Sequence, residues 1–147
     1  MIDSRTAPYA ALVLRVTLGA LFLAHAGLKL FVFTPAGTAK FFGSLGFPPE
    51  LAYLVMTIEV LSGIALILGI WTRYAALIGI PVLLGAIFTV HGAAGFFFTN
   101  PKGGWEYPAF WAIALVAQAL LGDGAFALRP SRDVEAASGQ LSVAPSR

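Results

Sequence analysis

His25, Lys29, Glu59 and His91 interrupt stretches that are otherwise apolar, and their types are those that move protons or hold charge. An imidazole and a carboxylate can accept, donate and relay protons. An ammonium group can stabilise negative charge developing on a reacting oxygen. Two imidazoles and one carboxylate (His25, Glu59 and His91) are also a set that binds transition metals, although nothing in their spacing compels this. A blander role exists for each, because polar side chains serve as hydrogen-bonding glue between membrane helices at about 0.6 kcal/mol on average. His91 or Gln118 alone asks for nothing more. Glu59 does, since a buried carboxylate must either be protonated or find a cation. His25 and Lys29 are its candidate partners.

The elements that carry these residues follow from composition. The chain has 147 residues, of which 59% are hydrophobic and 11% charged, and its mean hydropathy is +0.85. A soluble domain carries roughly 25% charged residues, so this surface cannot face water all round. Four apolar stretches, 8–33, 51–71, 75–98 and 107–128, are each long enough to cross about 30 Å of hydrocarbon. In lipid the backbone must satisfy its own hydrogen bonds, which makes them helices. The expected architecture is all-α: one four-span transmembrane bundle over 1–128 and a flexible cytoplasmic tail over 129–147. The apolar run continues past Ala24-His25-Ala26, which argues against a cleaved leader and keeps the first span.

Between spans one and two, Thr34-Pro35 reads as a helix N-cap followed by proline at the first helical position. Phe41, Phe42 and Leu45 form one apolar side and Gly46 is a natural stop, so a short interfacial helix is expected. Arg5, Arg73, Arg129 and Arg132 fall at one set of span ends and Lys40 and Lys102 at the other, which puts both termini in the cytoplasm. Cysteine is absent, excluding thiol redox catalysis and disulfides. The net charge of +2 and the lack of a Lys/Arg cluster exclude nucleic acid as a partner. Lipid is the expected surrounding.

On helices advancing 100° per residue, Arg15, Gly19, Phe22, Ala26 and Lys29 share a face, bordered by His25. So do Ala52, Met56, Glu59, Ser62 or Gly63, and Leu66. The third span offers Pro81, Leu84, Phe88, His91 and Gly95; the fourth offers Tyr107, Trp111, Ala114, Gln118 and Gly122. Counted from the non-cytoplasmic end, His25 lies about 10 Å deep, Glu59 about 12 Å, His91 about 10 Å and Gln118 about 16 Å. That agreement predicts one outward-opening pocket, with Lys29, Tyr107 and Trp111 above it. Arg15 is expected to snorkel to the cytoplasmic interface. Alternatively it pairs with Asp123, if the helix loosens at Gly122-Asp123-Gly124.

The ordered set of motifs resembles the DoxX family of small four-span bacterial membrane proteins. It comprises Arg15-x3-Gly19-x5-His25-x-Gly27-x-Lys29, Glu59-x3-Gly63, Leu68-Gly69-x2-Thr72-Arg73, His91, Gly104-Trp105-Glu106-Tyr107-Pro108 and Gly122-x-Gly124. The chain departs from the family at Ala127-Leu128-Arg129, where many relatives have Ser-Leu-Asp, and at Asp123. The family includes the DoxD-type large subunit of thiosulfate:quinone oxidoreductase, so the resemblance implies a subunit of an inner-membrane oxidoreductase complex acting on quinone.

On that reading Glu59 and His25 are the proton-handling groups. Lys29, His91, Trp111, Gln118, Tyr107 and Glu106 bind the quinone, and Trp111, Phe22 and Phe88 form a flat apolar slot. No covalent cofactor is expected, and electrons come from a substrate or a partner oxidoreductase; a homo-oligomer is the other expected partnership. The alternatives are a non-catalytic scaffold for a partner enzyme, the metal set named above, and a proton-coupled transport path.

Overall fold

The computed structural model describes residues 3–131. Among the described residues five α-helices form: α1 (Ala7–Gly27), α2 (Pro35–Ser44), α3 (Leu51–Leu68), α4 (Thr72–Ala86) and α5 (Glu106–Leu121). No strand occurs among the described residues; a single isolated bridge joins Ile70 to Arg129. α1 continues into a π-helical turn, Leu28–Val32, and α4 into a second one, Ile87–His91, followed by a 3-10 turn, Gly92–Ala94. Both π turns carry residues singled out by the sequence, Lys29 and His91.

Three of these rods are long and apolar enough to cross a membrane: Ala7–Val32, Leu51–Leu68 and Thr72–Ala94. α5 is apolar but has 16 residues and stops at Leu121, not at 128. Its stop is local, because the chain leaves the helix at Gly122 with φ +83° and ψ −151°, a conformation that side chains beyond glycine avoid. The expected short helix is present as α2. Thr34 is its N-cap, with Oγ1 accepting from the Gly37 N–H at 3.2 Å. α2 packs on α3 through Ala39, Ala52 and Met56, with Leu30 and Phe42 alongside.

The long helices close a ring in the order α1, α3, α4, α5, with α5 returning to α1. Small residues set the closest approach. A Cβ at Gly19 would meet the Gly63 carbonyl at 2.7 Å, and one at Gly63 would meet Leu23 at 2.8 Å. α1 and α3 therefore touch backbone to backbone, as small residues allow in membrane helix pairs. Phe22, Leu66 and Leu115 fill the centre with no measurable exposure. The faces read for α1 and α3 are the buried ones. The face read for the third span is not. Thr72, Ala75, Ala76, Gly79 and Leu83 point inward, whereas Phe88 is 79% exposed. A π turn needs an extra residue to come round, so a stripe extrapolated back from His91 at 100° per residue lands on the outer side.

After α5 the chain turns back as an ordered strap across the end of the bundle, in place of more helix and an immediate tail. The Ala125 N–H donates to Pro8 O, the Leu128 N–H to Leu68 O and the Arg129 N–H to Gly69 O. Two charged residues pin it. Arg15 does not snorkel: it is 1% exposed. Its guanidinium donates to the carbonyls of Leu66 (2.9 Å) and Ile67 (2.6 Å), which end α3, and to Ala125 (2.9 Å) in the strap. Asp123 accepts from the Thr72 N–H that begins α4 (3.2 Å) and from the Ser131 N–H (2.7 Å) and hydroxyl (3.0 Å). A cation thus closes a helix C-terminus and an anion opens a helix N-terminus, each matching the local end charge. The two are not directly paired. The tail from 132 onward lies outside the described residues.

Candidate functional site

At the opposite end, Lys29 and Glu59 form the sole ion pair among the described residues, with Nζ 2.6 Å from Oε1. Glu59 is 4% exposed and comes from the middle of α3. Lys29 projects from the π turn that extends α1, and it does not snorkel away from the carboxylate. α2 supports that turn, since the buried Thr38 hydroxyl lies 3.3 Å from Lys29 O and 3.0 Å from Thr34 O. Two charges removed from water offset each other only if geometry and further hydrogen bonds are good. Here the second carboxylate oxygen, Oε2, is buried without a partner.

His25 sits one turn below Lys29 on the same rod. Its Nδ1 is 2.9 Å from Leu21 O. A carbonyl only accepts, so Nδ1 carries the proton, and in the neutral ring Nε2 is left as an acceptor. Aromatic rings surround it. The Trp111 ring lies 4.9 Å from the imidazole and Tyr107 stacks on it at 6.3 Å with the planes 23° apart. Phe22 packs 4.9 Å from Trp111 on the inner side. Trp111 is 3% exposed and its Nε1, a donor only, has no partner. The arrangement offers an unpaired acceptor, an unpaired donor, an imidazole nitrogen and an ammonium beside flat apolar surface.

The remaining sequence-derived candidates stand elsewhere. His91 Nδ1 donates to Gly103 O at 3.0 Å and so ties down the loop that precedes α5. The described residues contain no group of three His, Asp or Glu side chains able to hold a metal, so His25, Glu59 and His91 do not converge as a ligand set. Glu106 starts α5, its N–H bonded to Phe96 O, and with Phe98, Tyr107 and Phe110 it borders an outer cavity of about 330 Å³. Gln118 lies two turns below Trp111, fully buried, with Nε2 donating to Gly122 O at 2.7 Å. It caps its own helix and does not share the level of Glu59. Phe88 faces outward and lines no slot.

Sequence reasoning missed both the Tyr107–His25 stack and the Leu21 carbonyl that fixes the imidazole. The second was available, because position i−4 on a helix always presents its carbonyl to a side chain able to bend back.

The DoxX family profile matches residues 10–92. Over 119 residues the chain is 35% identical to the protein named "Putative oxidoreductase CatD" from Bacillus subtilis (strain 168), a match covering 81% of this chain and 84% of that one. No solved structure gives a significant match.

Proposed function

Since this chain belongs to the DoxX family of helical membrane proteins, we propose that it is the quinone-handling subunit of an inner-membrane oxidoreductase complex. α5 and the strap after it complete a fourth crossing, and both termini lie in the cytoplasm, where Arg5, Arg73 and Arg129 gather. The observation that carries the reading is the pairing of buried Glu59 with half-buried Lys29, one turn along the rod from a His25 that packs on Trp111. Ionisable groups inside a membrane span are costly, by about 2.5–3.5 kcal/mol each on insertion scales, and mark function when they persist.

Reducing a quinone adds two electrons and two protons. His25, through Nε2, and Glu59 relay the protons, and Lys29 stabilises negative charge on a ring oxygen. Phe22, Trp111 and Tyr107 supply flat surface for the ring. The chain has no cysteine and no haem, flavin or iron–sulfur motif, so the electrons come from a partner reductase or its substrate. The name of the Bacillus relative supports oxidoreductase work.

The test is quinone-dependent activity of the assembled complex in membranes carrying Glu59→Gln or His25→Ala at matched protein levels. Loss of at least tenfold in both is expected. Full activity in both assigns the chain a scaffolding role instead.

A further inference from the structure

We propose that the outer cavity bordered by Phe98, Glu106, Tyr107 and Phe110 binds the ammonium headgroup of a membrane lipid of the ethanolamine class.

The four lining residues share one chemistry. Three are aromatic rings, whose faces attract a cation. The fourth, Glu106, pairs with no cation among the described residues, where Lys29–Glu59 is the sole ion pair. A carboxylate only accepts hydrogen bonds, so the cavity suits a cationic donor and repels an anion. As the first residue of α5, Glu106 also matches the positive end of that helix. That role asks for no rings, yet three border the same cavity as its side chain. The volume, about 330 Å³, lies at the small end of ligand pockets, which begin near about 300 Å³. It takes a headgroup, not a whole lipid.

The position favours a lipid over a soluble amine. The cavity lies at the start of the apolar helix α5, and aromatic residues at such span ends stand at the level of the headgroups. Along α5 from it, Phe110, Ile113 and Leu120 share one exposed side, an apolar track for an acyl chain. A soluble amine makes no use of that track. The ethanolamine ammonium keeps N–H donors for Glu106, while the rings cover its methylene groups. Tyr107 belongs to both sites, since it also packs on His25 at 6.3 Å. The proton and ring contacts of the quinone reading involve neither Glu106 nor Phe110, so the two proposals stand or fall separately.

The experiment is native mass spectrometry of the full chain in detergent with dioleoylphosphatidylethanolamine and, separately, dioleoylphosphatidylglycerol, which has the same acyl chains. A preference for the ethanolamine lipid of at least about threefold is expected, the scale of one cation–π contact at a partly exposed ring. Glu106→Gln is expected to abolish it by weakening the ethanolamine lipid. Phe110→Leu keeps an apolar side chain, removes a ring and is expected to reduce the preference about twofold or more. Should Glu106→Gln fail to retain its helical circular dichroism, Phe110→Leu decides in its place. Equal binding of the two lipids, or a preference that survives the substitutions, overturns the proposal. So does a preference lost only because Glu106→Gln binds the glycerol lipid more tightly, which would reduce Glu106 to a repelling charge. Free ethanolamine that displaces the lipid at equal concentration would make a soluble amine the ligand and overturn the lipid assignment.

Discussion

Lys29 and Glu59 meet at 2.6 Å although one stands on a π turn and the other on a regular helix, 30 residues apart in sequence. Removing one partner leaves a charge buried and uncompensated, at a cost of about 3–5 kcal/mol, whereas replacing both by apolar groups is often nearly neutral. Lys29→Met and Glu59→Leu are each expected to lower unfolding stability in detergent by several kcal/mol. The double variant should recover most of that loss. A double variant as unstable as the sum of the two would show that the residues act independently.

The α1–α3 contact gives a prediction set by distance alone. Gly19→Ala places a methyl 2.7 Å from both the Gly63 carbonyl and Ile67 Cγ1. Overpacking of that kind costs about 1–3 kcal/mol. Gly85→Ala meets nothing within 4 Å and is the control. It should be neutral or stabilising, because alanine favours the helix by up to about 1 kcal/mol. Thermal unfolding of the two variants side by side checks this.

Much of this was legible in the sequence, for physical reasons. α1 and α3 are regular helices over the residues that matter, so counting 100° per residue placed Arg15, Phe22, Ala52, Met56, Glu59 and Leu66 inside. The short helix α2 announced itself through Thr34-Pro35. Where the geometry departs from the α-helix, the count failed. The π turn at Ile87–His91 rotated Phe88 outward, and Gly122 ended α5 early, leaving Gln118 as a cap. Arg15 was misjudged because its length suits snorkelling as well as capping. Only the fold brings the Leu66 carbonyl and the strap within its reach.

The strap depends on Arg15 presenting several donors in a fixed plane, which one ammonium cannot reproduce. Arg15→Lys is therefore expected to loosen it. Hydrogen exchange at the Ala125, Leu128 and Arg129 amides, bonded to Pro8, Leu68 and Gly69, should quicken at least about tenfold, matching the loss of a charge-assisted hydrogen bond. Unchanged protection there would mean that the backbone bonds hold the strap without the guanidinium.

His91 has a local task in this account. His91→Phe keeps a ring and removes the N–H that Gly103 O accepts. Exchange of the Trp105 and Glu106 amides, bonded to Gly95 O and Phe96 O, is expected to quicken. Amides in the middle of α3 should keep their protection. Spread of the effect into α3 would instead couple His91 to the Glu59 region.

Photolabelling reads the location of the ligand directly. An azido-substituted benzoquinone, activated on membranes that contain the full chain, should attach within residues 22–29, 56–62 and 107–111. Excess unlabelled quinone should displace it. Label found only on outward-facing positions such as Phe31 and Phe88, or label that excess quinone does not displace, would contradict the account.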